Sequence, residues 1–235
     1  MQRLRVQYAK RGRLRFSSHR DFQRAFERAL RRAGVPIAFS AGFSPHPKVS
    51  YANAAPTGTA SEAEYLEIGV TTVCDPARLR LALDDALPPG LDIVDVVVAS
   101  SPDFAARLEA SVWQIEFVGM SEATLSTAIT VFLAAEEVLV ERLMKQGKRV
   151  FDARSSVLLA RVAMSPEPIL GSECAILTLV VRHSTPAVRP DDVLAALRRV
   201  ADLVPPTPPR VTRLAQGPLA PDGQSVGDPL ALDRE

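Results

Sequence analysis

Four side chains in the first 65 residues have the types and neighbours that acid–base chemistry needs: His19, Asp21, His46 and Glu64. His19 stands at the first helical position if Ser18 is the cap. Backbone amides and the helix dipole there favour a neutral imidazole and attract anions. Such a histidine can contact a phosphate or move a proton, or it can be a half-exposed residue at a helix start. Asp21, three residues after Ser18, occupies the acidic position of a capping box, which accounts for it without catalysis. His46 lies in Gly42-Phe43-Ser44-Pro45-His46-Pro47-Lys48, clamped between two prolines. Each proline biases the residue before it to extended backbone, so Ser44 and His46 are both restricted, and that stiffness preorganises a side chain. Gly42 permits backbone angles that other residues resist, and Phe43 is a ring on which a base could stack. The other reading of this loop is a rigid crossover with Phe43 plugged into the core. Glu64, like Glu62, precedes Tyr65 on a strand and could serve as acid or base near His46, or be an exposed strand residue.

A second set of residues is defined by charge. The whole chain is +1, but residues 1–50 hold 12 lysines and arginines against Asp21 and Glu27, a net +10. The remainder holds 16 basic and 25 acidic residues, a net −9. Asymmetry of this size points to an anionic partner at the N-terminal end, or to a basic half facing an acidic half of the same molecule. Arg20, Arg24, Arg28, Arg31 and Arg32 fall on one helix, Arg13 and Arg15 precede it, and Lys48 closes the loop. Such a face can track a phosphate backbone, largely without reading sequence.

Other chemistries are not indicated. Cys74 and Cys174 are far apart and belong to no CxxC group, so no zinc knuckle or cluster is built locally, and they read as free thiols. GxSxG, HExxH, P-loop and GxGxxG patterns are absent from the sequence, and no cofactor or metal is expected. Asp152 and Arg154 read as a surface pair, and His183 as structural. No apolar run approaches a membrane span, and Met1 to Val6 has no signal-peptide core, so a cytoplasmic protein is expected.

The elements that must position these residues follow from periodicity. Leu4 to Lys10 alternates as a strand does, and Arg13-Leu14-Arg15-Phe16 resumes the alternation. Phe22, Ala25, Phe26, Ala29, Leu30 and Ala33 form one stripe of a helix over 19–33, stopped by Gly34 and Pro36. Strands are expected at 48–53 and 63–70, a helix at 77–87 and a strand at 91–99. The order is strand, helix, strand, strand, helix, strand, that of a ferredoxin-like split motif. The second half repeats it: strand 112–117, helix 122–134 capped by Ser121, strand 137–144, a turn at Gln146-Gly147-Lys148, strand 175–182, helix 191–201 and strand 210–214. An extra segment, 148–170, interrupts it. The fold class is therefore α+β, with tandem ferredoxin-like βαββαβ halves and antiparallel sheets. A basic half is expected over 1–105, a second half over 106–215 and a disordered Pro/Gly-rich tail over 216–235.

The motif order resembles one family. Lys10-Arg11-Gly12-Arg13-Leu14-Arg15-Phe16-Ser17-Ser18-His19-Arg20-Asp21 is similar to its opening, followed by Arg28 to Pro36, Ser40 to Ala52, Pro56-Thr57-Gly58 and Ser61-Glu62-Ala63-Glu64-Tyr65. This is the radical-SAM-linked protein family, a bacterial domain found alone or fused behind a radical SAM protein. The resemblance is dense over 8–70 and thins toward 215. It implies a radical SAM protein as partner, since this chain has no cysteine triad for an iron–sulfur cluster, and it assigns no catalytic residues. Arg20 departs from the apolar residue expected there in many relatives. In element order alone the chain is also similar to CRISPR repeat-processing endoribonucleases. Three functions are expected from these readings. The first is an accessory protein binding RNA (tRNA or rRNA) through the basic helix and the Gly42–Lys48 loop. The second is an acid–base enzyme acting on RNA or a nucleotide through His19 and His46. The third is an interaction module docking on a radical SAM partner.

Overall fold

Leu4, Val6 and Tyr8 alternate with Arg3, Arg5 and Gln7, and this period-two pattern forms β1, Gln2–Lys10. The computed structural model describes residues 1–144, 147–169 and 171–234. The chain divides into two compact units, one of Met1–Leu108 with Asp228–Glu235, the other Glu109–Gly227.

In the first unit β1 is followed by α1 (His19–Arg32), β2 (Val49–Ala52), β3 (Ala60–Val70), α2 (Pro76–Ala86) and β4 (Leu91–Val98). β1 pairs antiparallel with both β3 and β4, and β2 pairs antiparallel with β3, so the strands lie in the order β4-β1-β3-β2. The helices cover one face, where Phe22, Phe26, Leu30, Leu79 and Leu83 pack on Leu4, Val6, Leu66 and Ile68. Each large apolar side chain buried this way stabilises the fold by about 1.5–3 kcal/mol. The other face carries a smaller apolar cluster of Ala63, Tyr65, Val97, Phe104, Leu108 and Leu230.

The second unit runs β5 (Ala110–Val118), α3 (Glu122–Ala134), β6 (Leu139–Met144), β7 (Gly147–Asp152), β8 (Val157–Met164), β9 (Cys174–Arg182), α4 (Pro190–Ala201) and β10 (Arg210–Gly217). Its sheet is antiparallel in the order β10-β5-β9-β8, and β6 and β7 form a separate hairpin. Trp113, Ile115, Phe117, Leu125, Phe132, Leu177 and Leu197 belong to its core. The fold is thus mixed α/β, with antiparallel sheets and four helices among the described residues.

Three expectations differ from what is found. Gly12–Phe16 is a 3-10 helix rather than a resumed strand: Gly12 takes φ +54° and breaks the extended path, so the alternation of Arg13 and Arg15 belongs to a turn. The strand at 137–144 does not enter the sheet. It becomes β6 of the hairpin, and β8, inside the segment read as an insertion, takes the sheet position beside β9. Gln146 of the expected turn lies outside the described residues, while Gly147 and Lys148 open β7. The stretch read as a disordered tail continues β10 to Gly217 and then contributes residues 228–234 to the first unit, with Leu230 fully buried. The units part at 108/109, close to the boundary expected near 105.

Candidate functional site

The start of α1 is fixed by a reciprocal cap. The Asp21 amide donates to Ser18 Oγ at 3.2 Å, and the Ser18 amide and hydroxyl donate to Asp21 Oδ2 at 3.2 and 2.6 Å. The Ser18 hydroxyl, then its amide, then the charges of Arg24 and Arg20 hold the Asp21 carboxyl below the usual carboxylate range. A carboxylate so held is a weaker base, and its oxygens are engaged by the cap. His19 stands edge-on to the Tyr51 ring, centroids 4.8 Å apart, with its Nε2 3.2 Å from the Gln23 amide nitrogen, which donates. Burial, then the charge of Glu27, pushes the Tyr51 hydroxyl up and keeps it protonated.

Glu64 lies in the interior. It is 2% exposed on β3, and its Oε2 accepts from the Ala55 amide at 3.0 Å. The proline-clamped loop is anchored further along the same strand. The Ala38 amide donates to the Gly69 carbonyl at 2.7 Å, and the Gly69 amide to the Lys48 carbonyl at 2.9 Å. Five strand positions separate Glu64 from this anchor, about 16 Å at the usual rise. Above it the loop closes on itself: Phe39 bridges Pro47, the Ser40 amide donates to the His46 carbonyl at 2.8 Å, and the His46 amide donates to Ser40 Oγ at 3.0 Å. His46 is thus held by its backbone and its side chain is exposed. Phe43 does not plug the core. It stands at the loop tip, wholly exposed, where Gly42 takes φ +127°. Lys48 Nζ lies 3.7 Å from Met1 Sδ and faces solvent.

The arginines sort into two kinds. At about 100° per residue, Arg20, Arg24, Arg28 and Arg31 fall within an arc of about 80°, opposite Phe22, Phe26, Ala29 and Leu30. All four are exposed and, among the described residues, make no side-chain hydrogen bond or ion pair. The stripe is about 16 Å long at the helical rise. Arg32 instead donates to the Ala86 carbonyl at 3.1 Å, closing the end of α2. Arg13 is exposed, and Arg15 lies over the Phe16 ring, 4.9 Å from its centroid. The loop leaves close to the end of the stripe, because Thr71 binds the Pro36 carbonyl and Ala38 already reaches Gly69.

Elsewhere Asp152 binds the amides of Val138, Arg154 and Ser155, Arg154 lies over Phe132, and His183 Nε2 is 2.7 Å from Ser111 Oγ. These are structural contacts of the second unit.

Sequence reasoning missed a charged cluster on the face opposite the helices. Arg5 on β1 is 1% exposed beneath Phe104, its guanidinium carbon 4.8 Å from the ring centroid. It donates to Asp233, to Ser101 and, at 3.3 Å, to Glu67. Arg107 Nη1 also donates to Asp233, at 3.0 Å. Asp233 Oδ1 accepts from the amide and hydroxyl of Ser100, both at 3.1 Å, and from those of Ser101 at 3.2 and 2.7 Å. Burial alone would push the Asp233 carboxyl up, but hydrogen bonds from Ser101 and Arg5, the Arg5 charge and the hydrogen bond from Arg107 outweigh it and hold it well below the usual range. A cavity of about 230 Å³ adjoins the cluster, lined by Arg3, Arg5, Tyr51, Glu67 and Phe104 among others. No signal in the sequence marked it: Arg5 stands at a polar position of the β1 alternation, on the face opposite Leu4 and Val6.

Among the described residues no group of three or more His, Cys, Asp or Glu is gathered to hold a metal ion. No helix there is long and apolar enough to cross a membrane.

Fold and site together define a two-unit mixed α/β protein with one arginine-striped helix. Residues 3–190 match the family described as uncharacterized protein conserved in bacteria (DUF2344), and the chain belongs to it. No curated protein matches the chain. Among solved structures it is similar to an unknown protein from Galdieria sulphuraria, with 17% identity over 86% of this chain and 92% of that one and a TM-score of 0.26. It is also similar to DyPB from Rhodococcus jostii RHA1, with 11% identity over 84% and 83% and a TM-score of 0.22. Overlaps this weak carry no argument about fold or function.

Proposed function

We propose that the chain is a cytoplasmic accessory protein that binds RNA, tRNA or rRNA, along α1 and the Gly42–Lys48 loop, and serves a radical SAM protein. We also read each unit as ferredoxin-like. The strand orders β4-β1-β3-β2 and β10-β5-β9-β8, with a helix in each crossover, support that reading.

One observation carries the RNA reading: four exposed arginines on one face of α1, with no acidic side chain bonded to them among the described residues, near a stiff loop with Phe43 fully exposed at its tip. A charged stripe for phosphates beside a ring for bases is the pairing that single-stranded nucleic acid uses. The partner rests on the resemblance of residues 8–70 to radical-SAM-linked proteins. An acid–base reaction through His19 and His46 has no comparable support, since Asp21 and Glu64 are each committed to backbone amides.

The test is filter binding of the purified chain to tRNA and rRNA fragments across a salt series, beside Arg24→Glu/Arg28→Glu/Arg31→Glu. Affinity should fall steeply with salt, and the variant should lose about 2 from the log–log slope, at about 0.7 per phosphate contact. No binding at low salt would overturn the RNA reading and leave a docking surface for protein.

A further inference from the structure

We propose that Arg5, Arg107, Ser100 and Ser101 form an anion site which the chain's own Asp233 fills, and that a phosphate group takes the carboxylate's place when residues 231–234 lift away. This site lies on the sheet face opposite α1 and does not depend on the RNA reading.

The donors outnumber what the carboxylate can use. Two backbone amides and the Ser101 hydroxyl converge on Oδ1, the Ser100 hydroxyl shares its one proton between Oδ1 and the Leu232 carbonyl, and two guanidinium groups reach Oδ2. A carboxylate oxygen offers two lone pairs in good geometry, so three or more donors on one oxygen leave some poorly satisfied. A phosphate presents three terminal oxygens and up to two charges to the same set. Successive amides with paired arginines are a recurring way of holding phosphate. Apart from Asp233, Arg5 is also held under Phe104 and by Glu67 and Ser101, which keep its guanidinium aimed at the site. The adjoining cavity shares Arg5 with the site, is lined also by Phe104, Glu67 and Asp103, and gives room for the uncharged remainder of a phosphorylated molecule.

The occupant is held in a way that permits exchange. Leu230 is fully buried and anchors the segment. Beyond it, apart from the Asp233 carboxylate itself, stand one short 3-10 turn, Ala231–Asp233, one hydrogen bond from the Ser100 hydroxyl to the Leu232 carbonyl, and the surface pairs of Arg234 with Asp95 and Asp228. Surface pairs of this kind hold weakly. A tethered carboxylate acts at an effective concentration of order mM, so an external phosphate competes on measurable terms.

The test is hydrogen exchange of the full-length wild-type chain in inorganic phosphate, in acetate, and in chloride of equal ionic strength. Phosphate alone should speed exchange of the Asp233 and Arg234 amides, which bond to Leu230 and Ala231, while the Ser100 and Ser101 amides stay protected. In parallel, phosphate should raise the Tm of Asp233→Ala at concentrations at least tenfold lower than in wild type. Adding Arg107→Ala should remove that gain. If Asp233→Ala does not fold, the wild-type exchange decides alone. Acetate acting without phosphate would overturn the phosphate assignment. No response to either anion would make Asp233 a structural staple and nothing more.

Discussion

Arg5 is a guanidinium taken almost wholly out of water, which costs several kcal/mol unless charges and hydrogen bonds replace the lost solvation. Here Asp233, Ser101 and Glu67 do so. Asp233→Ala leaves Arg5 and Arg107 without their shared carboxylate, and urea unfolding in chloride buffer should show a loss of about 3–5 kcal/mol. The acid dependence has a definite sign. The folded-state carboxyl of Asp233 lies below its unfolded value, so its contribution is complete above the ordinary carboxylate pKa of about 4. It is lost as pH falls from there toward the depressed folded value. Stability measured from pH 6 down to pH 2 should therefore fall less steeply in Asp233→Asn than in wild type. Residue-level reading of the sequence reached Asp21 correctly as a capping carboxylate, because a cap is a local event over three residues. It missed Arg5 and Asp233 because their partnership spans 228 positions and leaves no local pattern.

Local signals also explain which elements were legible. The helix expected over 19–33 is found at His19–Arg32, and that expected over 122–134 at Glu122–Ala134, since each has a Ser cap and the first also an apolar stripe of helical period. Ser18→Ala should cost about 1 kcal/mol in chemical denaturation and leave the unfolding slope unchanged. Strands were harder, because pairing is decided at a distance. The apolar run 157–164 has strand character, yet nothing local says whether it or 139–144 joins β9. Both reach the core, β8 with Val157 and β6 with Val140, while Arg142 of β6 turns to Asp192 at 2.6 Å, to the Ala187 carbonyl at 3.0 Å and over Phe151. That arginine ties the hairpin to the start of α4. Arg142→Ala should speed amide exchange and proteolysis within 139–152 while β5 and β9 stay protected.

At the scale of the whole molecule the two units differ in how the chain builds them. Unit 109–227 is continuous, and its main core cluster draws only on residues within it. The other unit is not: residues 228–234 supply Leu230 to its second apolar cluster and Asp233 to its buried arginines. A Pro/Gly-rich stretch with few aromatics reads as disordered because, taken alone, it cannot offset its ordering entropy. It orders here because one leucine meets an apolar cluster and one aspartate meets arginine donors, all more than 100 positions away. The consequence is testable by dissection. Fragment 109–227 should unfold cooperatively by itself. Fragment 1–108 has its main core but also an open apolar cavity where Leu230 belongs and two arginines without a carboxylate. Those defects should cost it several kcal/mol together, by the cavity and unpaired-charge terms. A synthetic peptide of residues 228–234, added in trans, should raise its Tm in a dose-dependent way, and the same peptide carrying Asp233→Ala should not. Equal stability of 1–108 with and without the peptide would show that the segment rests on this unit without holding it.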